Sequence, residues 1–244
     1  MRDDYKKITG KLYGIGIGPG DPKLLTLRAK EILDTVNTIF VPKAKNDGRS
    51  YARSIVEAAT SKLKNFIELT FPMTNDQKKL KFYWLRAARR IIKELKRKGT
   101  TAFVTIGDPF IYSTYIYLLE TLRKNFPNII VETIPGISAF NAAAASSGLP
   151  LLKGDEKLAI LPVTNNLKGL KKTLKEFDTV VLMKVGSKLY RVISLLKEMG
   201  LIKNSVLISH AGQVSEKIIN DLSSLKDKKI GYLSVIIIKR KMDS

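Results

Sequence analysis

The stretch Gly14-Ile15-Gly16-Ile17-Gly18-Pro19-Gly20-Asp21-Pro22 places four glycines at alternate positions where an apolar run ends. Residues Lys11 to Ile17 predict a buried strand, and Leu24 to Leu33 predict the helix that follows it. Glycine has no Cβ, so it accepts positive φ and lets a ligand approach the backbone, while an Asp-Pro pair suits the start of a helix. The stretch therefore predicts a βα loop that can hold a ligand, with a plain connecting turn as the alternative.

This loop lacks two familiar phosphate-binding patterns. A dinucleotide fingerprint, G-x-G-x-x-G, would have to end on Pro19 or on Asp21. A P-loop ends in Gly-Lys-Ser/Thr, and here Gly20 is followed by Asp21, whose carboxylate would repel a phosphate group. Nicotinamide enzymes and P-loop NTPases are therefore disfavoured.

Length and composition predict a globular intracellular protein. The chain has 244 residues, 44% of them hydrophobic, which suffices for one large or two small domains. Its longest apolar runs, such as Leu233 to Ile238, are too short to span a bilayer, and residues 1–7 lack the apolar stretch of a signal peptide. Cysteine is absent, which excludes disulfides and thiolate metal sites, so we expect a cytoplasmic location and no membrane partner.

A formal net charge of +21 raises the possibility of a nucleic-acid partner. The basic residues are spread over predicted helices such as Gln77–Lys98 and Leu167–Lys175, and no RNA-binding signature concentrates them. A solvated lysine surface and an acidic small-molecule substrate explain the charge better, and nucleic acid is the third alternative.

Apolar runs alternate with amphipathic helical stretches along the chain. The predicted strands are Leu12–Ile17, Thr38–Val41, Phe66–Leu69, Thr101–Thr105, Ile129–Ile134, Lys157–Val163, Thr179–Lys184, Ser205–Ser209, Glu216–Ile219 and Tyr232–Lys239. Val- and Ile-rich runs separated by helices predict an α/β fold with mostly parallel sheets. The turn-rich segment 146–156 predicts a boundary between an N-terminal α/β domain, 1–149, and a C-terminal α/β domain, 150–244.

Three further loops follow predicted strands and resemble the first in composition. They are Ile106–Thr114, Ile134–Ala139 and Lys184–Gly186. Ligands of open α/β sheets bind beyond the carboxyl ends of the strands, so we expect these loops to line one cleft.

These motifs resemble those of a known family, the tetrapyrrole methylases. The resemblance rests on Gly16 to Pro22 with Leu25-Thr26, on Gly107-Asp108-Pro109, on Ile134 to Ser138 and on Leu182 to Gly186. Phe71-Pro72-Met73-Thr74, Trp84, Tyr112-Ser113-Thr114-Tyr115, Gly154-Asp155-Glu156 and the run from Asp178 to Lys184 are similar to the branch that methylates carbon 20 of precorrin-2. The resemblance covers the chain from about Lys11 to Arg240.

The resemblance implies two α/β domains with an active-site cleft between them, S-adenosylmethionine as methyl donor, no protein-bound metal and a homodimer. The substrate would be precorrin-2 or its cobalt-containing counterpart, an acidic tetrapyrrole that a basic cleft would attract. By resemblance the cofactor would contact Pro19, Gly107, Asp108, Ile111, Ser113, Thr114, Ser138, Ala139, Met183, Val185 and Ala211.

Asp21 and Tyr112 are the expected catalytic residues, in the sense of positioning the substrate. For Asp21, capping a helix Lys23–Leu33 is the structural alternative. For Tyr112 and Tyr115, burial of at least one ring is expected, and Trp84 is expected in the core. His210, the only histidine, is as compatible with a plain loop residue as with a functional one.

Asp108 could either complement the positive charge of the cofactor or fix the turn that Pro109 restrains. If charge matters, we expect Asp108→Asn to weaken cofactor binding with little change in melting temperature. Three other functions remain as alternatives: another tetrapyrrole methylase, a ribosomal RNA methyltransferase of the same superfamily, and a nucleic-acid-binding module without chemistry.

Overall fold

The structure is a computed structural model that describes residues 10–43, 50–61, 63–225, 231 and 233–240. The chain divides into two compact units, Met1–Ser138 and Ala139–Ser244. The division falls earlier than the predicted 149/150 boundary because the helix α5 (Ala139–Ser147) packs on the second sheet: Ala142 and Ala143 contact a cluster that includes Val181 and Ile237.

The first unit contains a parallel sheet of five strands. Its strands are β1 (Lys11–Gly16), β2 (Thr38–Lys43), β3 (Asn65–Thr70), β4 (Thr101–Thr105) and β5 (Ile130–Ile134), in the order β3-β2-β4-β1-β5. Its helices are α1 (Leu27–Thr35), α2 (Tyr51–Ala59), α3 (Gln77–Lys98) and α4 (Thr114–Asn125). Helices α1 and α2 cover one face of the sheet and α3 and α4 the other, as expected where crossover helices join parallel strands.

The second unit contains a mixed sheet. Its strands are β6 (Leu158–Pro162), β7 (Thr179–Met183), β8 (Ser205–Ser209), β9 (Lys217–Ile219) and β10 (Ser234–Lys239), in the order β6-β7-β10-β8-β9. Helices α6 (Leu167–Glu176) and α7 (Leu189–Glu198) complete the unit with α5. β6 and β7 pair in parallel, whereas β10 runs antiparallel to β7 and β8, and β9 runs antiparallel to β8.

Parallel pairing therefore holds throughout the first sheet but does not extend through the second. The reason lies in the connection between β8 and β9, which consists of turns at 210–216 without a crossover helix, so that the chain reverses and pairs antiparallel. The last predicted strand began at Tyr232, which lies outside the described residues, and β10 begins at Ser234. No helix in the described ranges has both the length and the apolar character needed to cross a bilayer.

Candidate active site

Three glycines from three loops meet at the carboxyl edge of the first sheet. Gly16 ends β1, Gly107 follows β4, and Gly136 follows β5; β1 lies between the other two strands. A Cβ on Gly16 would lie 2.6 Å from the carbonyl oxygen of Gly107 and 2.7 Å from the nitrogen of Gly136, closer than side chains approach. The three loops therefore pack backbone against backbone, which only glycine allows at this point.

A backbone hydrogen bond joins the opening loop to the loop after β4. The Gly107 N–H donates to the Gly18 carbonyl oxygen at 2.7 Å. Both glycines have φ of +73°, a left-handed backbone that other residues adopt at a cost. Pro19 directly follows Gly18, whose carbonyl group accepts this hydrogen bond.

The Asp108 carboxylate fixes two of these loops together. Its Oδ1 accepts a hydrogen bond from the Phe110 N–H at 2.8 Å, and its Oδ2 accepts one from the Gly136 N–H at 3.1 Å. Ile111 closes the same turn, since its N–H donates to the Asp108 carbonyl oxygen at 3.4 Å. Of the two roles expected for Asp108, this geometry supports fixing the turn, and its contact with the cofactor stays a prediction.

Ser113 caps the start of helix α4, and Ser138 precedes α5. The Ser113 Oγ accepts a hydrogen bond from the Tyr115 N–H at 3.1 Å and lies 2.9 Å from the Thr105 Oγ1, so this buried hydroxyl is held inside the unit. Thr114 is the first residue of α4. Ser138 is largely buried as a residue, and its hydroxyl oxygen, which has no hydrogen-bond partner in the part of the chain that the structure describes, is not among the buried unpartnered atoms and is therefore accessible.

The two tyrosines after β4 have different environments. Tyr115 is fully buried, and its phenol oxygen lies 2.7 Å from the Thr133 Oγ1; its ring occupies the space that a Cβ on Gly14 would need. Tyr112 is 38% exposed and has a left-handed backbone with φ of 51°. Burial raises the pKa of the Tyr112 phenol above its usual value, so the group keeps its proton and can donate a hydrogen bond at neutral pH. The core tyrosine is thus Tyr115, and Tyr112 is the one that faces solvent.

Asp21 caps a short helical turn. Its Oδ1 accepts a hydrogen bond from the Lys23 N–H at 2.8 Å at the start of a 3-10 turn, Pro22–Leu24. Helix α1 begins only at Leu27, where the Thr26 Oγ1 accepts a hydrogen bond from the Ala29 N–H at 3.2 Å. The alternative in which Asp21 caps a helix over Lys23–Leu33 is therefore wrong in its bounds, because Thr26 interrupts that helix with its own cap.

The second unit has its own edge of strand ends. β7 and β8 point the same way because each runs antiparallel to β10 between them. Met183 ends β7 and is half-buried, whereas Val185 and Ala211, just after β7 and β8, are buried. Ala139 is the first residue of α5 and is half-buried.

Two residues at this edge carry a strained backbone that the sequence did not signal. Lys184 has φ of 56° and His210 has φ of 55°. The His210 N–H donates to the Leu233 carbonyl oxygen at 2.7 Å, and the His210 Nδ1 lies 2.8 Å from the Ser209 Oγ. Left-handed residues other than glycine cluster at functional sites, where the surrounding structure holds them.

Within the described residues, no group of three or more His, Cys, Asp and Glu side chains is placed to hold a metal ion.

Trp84 is half-buried and stacks on Tyr117 with ring centroids 4.8 Å apart, at the margin of the core formed by α3 and α4.

Glycine-joined loops at the carboxyl edge of a parallel sheet are typical of α/β proteins that bind a ligand beyond their strand ends. Residues 11–226 match the model of one family, described as Tetrapyrrole (Corrin/Porphyrin) Methylases, and the chain belongs to this family of methyltransferases.

Two relatives align over nearly the whole chain. The chain is 40% identical over 240 residues to the "Probable cobalt-precorrin-2 C(20)-methyltransferase" of Methanocaldococcus jannaschii, covering 96% of this chain and 98% of the relative. It is 30% identical to the "Cobalt-precorrin-2 C(20)-methyltransferase" of Salmonella typhimurium, covering 97% and 99%.

Solved structures share the fold at low identity. A cobalt precorrin-4 methyltransferase, CbiF, superposes with a TM-score of 0.70 at 18% identity, covering 94% of each chain. A uroporphyrin-III C-methyl transferase from Thermus thermophilus, complexed with S-adenyl homocysteine, has a TM-score of 0.67 at 19% identity, covering 95% of this chain and 98% of the other. These likenesses confirm the α/β fold expected of the family.

Proposed function

We propose that this protein transfers a methyl group from S-adenosylmethionine to carbon 20 of precorrin-2 or cobalt-precorrin-2. The observation that carries the proposal is the 40% identity, over 96% of the chain, to a relative named for that reaction. Membership of the tetrapyrrole methylases supports the same chemistry at the level of the family.

The cofactor would be held by the residues expected from the sequence. In the first unit these are Pro19, Gly107, Asp108, Ile111, Ser113, Thr114 and Ser138. In the second unit they are Ala139, Met183, Val185 and Ala211. The first unit fits this proposal in two ways: its glycine loops bring the backbone of three strand ends together, and the Ser138 hydroxyl has no described partner.

S-adenosylmethionine, when bound, supplies a methyl group on a positively charged sulfur, which is a good leaving group. The protein then has to align that methyl with the substrate carbon, and alignment alone can contribute much of the rate. Tyr112 would donate a hydrogen bond to the macrocycle from a phenol that stays protonated at neutral pH. Asp21, half-buried at the 3-10 turn, would position the substrate.

The net charge of +21 supports an acidic substrate. A tetrapyrrole with several carboxylate arms is a polyanion, so a basic surface raises its rate of encounter, and arginine can bind a carboxylate through two hydrogen bonds.

Parallel incubation with precorrin-2 and cobalt-precorrin-2 tests the proposal. With S-adenosylmethionine carrying a carbon-13 methyl, we expect a product one methyl group heavier, with the label on carbon 20 by NMR. Labelling of another ring carbon would contradict the assigned position. Labelling of ribosomal RNA with neither tetrapyrrole modified would favour the RNA methyltransferase instead.

Calorimetry tests the cofactor separately. We expect S-adenosylmethionine or its demethylated product to bind without added metal and in the presence of a chelator. Absence of binding at millimolar ligand, or binding that requires a divalent ion, would overturn the assignment of the cofactor site.

We further propose a homodimer in the cytoplasm, both expected from the sequence alone. Light scattering at micromolar concentration tests the homodimer, and a mass near the 27.3 kDa of one chain would contradict a homodimer.

A further inference from the structure

A basic groove lies on the first unit between strand β3 and helix α3, with a volume of about 560 Å³. Residues 67–70 of β3 form one wall, and the wall from α3 consists of Tyr83, Arg86, Ala87, Arg89, Arg90 and Lys93. Strands β2 and β4 lie between β3 and β1, and neighbouring strands are about 4.8 Å apart. The groove therefore lies at a different position in the sheet from Gly16, where the three glycine loops meet.

The groove carries cations without matching carboxylates. Glu68 is its acidic side chain, and the Lys43 Nζ lies 2.8 Å from the Glu68 Oε2. Arg90 pairs with Glu94 on its own helix, at 3.3 Å. Arg86, Arg89 and Lys93 form no ion pair with any residue that the structure describes. Three positive charges of this groove are therefore available to a ligand.

Their arrangement differs from a generally lysine-rich surface. Residues 86, 89, 90 and 93 follow the three- and four-residue spacing of one helix face, where like charges destabilise a helix. Arginine accounts for eleven of the 43 basic residues of the chain, yet it supplies three of the four cations in the groove. Arginine differs from lysine in binding carboxylate and phosphate groups through two parallel hydrogen bonds.

The size of the groove points to a compact ligand. From Arg86 to Lys93 the helix advances about 10 Å, at about 1.5 Å per residue. Ile67, Leu69 and Ala87 add apolar wall between the charges, and a volume of about 560 Å³ is typical of a site for a small molecule. A long polymer such as RNA would instead need a basic track that continues beyond one groove.

We propose that this groove binds a small molecule that carries two or more carboxylate or phosphate groups. Arg86 and Arg89 bind the anionic groups, Lys93 adds charge at the far end, and the apolar wall contacts the body of the ligand. The groove lies at β3, three strand positions from β1, and this proposal does not depend on the reaction proposed above.

Calorimetry with two probes, inorganic tripolyphosphate and propane-1,2,3-tricarboxylate, tests the proposal in the absence of S-adenosylmethionine. We expect at least one probe to bind at a single site with a Kd below a millimolar concentration. The probe that binds more tightly identifies the ligand chemistry as phosphate or carboxylate. We expect R86Q/R89Q to weaken binding at least tenfold, and K93Q alone to weaken it by a smaller factor.

The matched control is K78Q/K81Q, which removes two exposed charges of the same helix that do not line the groove. We expect this variant to bind within twofold of the natural protein. Equal weakening in both double variants would reduce the effect to general charge attraction and overturn the site. Failure of both probes to bind the natural protein at about 10 mM would overturn it as well. Circular dichroism melting of each variant confirms that it is folded.

Discussion

At the carboxyl edge of the first sheet the loops are glycine where they meet, whereas the residues that directly follow β7 and β8, Lys184 and His210, have a left-handed backbone and carry side chains. In the first unit a Cβ on Gly16 or Gly136 would overlap neighbouring backbone, so the loops depend on the absence of side chains. In the second unit the chain adopts the costly backbone and keeps the side chains. The conformation of the loops at the first edge thus depends on close backbone packing. At the second edge the left-handed positions carry side chains.

The largest expected effect is that of Gly16→Ala, which tests the backbone packing of the first edge. The added Cβ would lie 2.6 Å from the Gly107 carbonyl oxygen, and neither that loop nor Gly136 can yield without losing the hydrogen bonds that join them. We expect the free energy of unfolding to fall by about 3 kcal/mol. Thermal and urea unfolding measure the change.

Gly148→Ala is the control for this substitution. Gly148 has φ of +67° and open space around its Cβ position, so alanine there experiences backbone strain without a clash. We expect a loss of about 1 kcal/mol. If the two variants lose the same free energy, close packing does not determine the first edge.

Asp108→Asn tests whether the same edge depends on a charge or on a turn. The two N–H groups of Phe110 and Gly136 bind different carboxylate oxygens, and asparagine replaces one of those oxygens by an NH2 group, so one N–H would face another donor. Contrary to the sequence-based expectation, we now expect a lower melting temperature and a loss of about 2 kcal/mol. Asp155→Asn, at an exposed site, is the charge-matched control. An unchanged melting temperature with about tenfold weaker cofactor binding would instead assign Asp108 to the cofactor.

Much of this edge could be predicted from the sequence, because the signals are local. The Val- and Ile-rich runs located the strands to within a few residues, and the glycine motifs marked the loops that follow them. The hydrogen bond from Gly136 to Asp108 could not be predicted, because it joins residues 28 positions apart and depends on the order of β4, β1 and β5.

The second unit was harder to predict for a related reason. The pattern of a buried strand is the same for parallel and antiparallel neighbours, so the insertion of β10 between β7 and β8 left no local signal. The left-handed backbone of Lys184 and His210 likewise depends on tertiary contacts rather than on residue type. The basic spacing at 86, 89, 90 and 93 was visible in α3, but the groove needs β3 beside it.

A pair of tyrosine variants separates core from site within the first edge. Tyr115→Phe removes the hydroxyl group that contacts Thr133 at a fully buried position, so we expect a loss of about 1 kcal/mol of stability and an unchanged rate of methyl transfer. Tyr112→Phe removes a protonated hydroxyl group at an exposed position. We therefore expect about tenfold slower methyl transfer, or about 1.4 kcal/mol, with an unchanged melting temperature. The reverse pattern would exchange the roles given to the two rings.

A small change in stability is expected for Lys184→Gly, which addresses the second edge directly. Glycine adopts φ near 56° without strain, but it also increases the conformational entropy of the unfolded chain. The two effects oppose each other, so we expect the free energy of unfolding to change by less than about 1 kcal/mol. Lys203→Gly is the control: Lys203 is exposed in a 3-10 turn without positive φ, so glycine there brings the entropy cost alone. If the Lys184 side chain serves the reaction, Lys184→Gly will melt at or above the melting temperature of the control variant. It will nevertheless transfer methyl groups more slowly than the natural protein. A variant that melts well below the control and keeps its rate would make Lys184 a packing residue, and the contrast between the two edges would then rest on His210 alone.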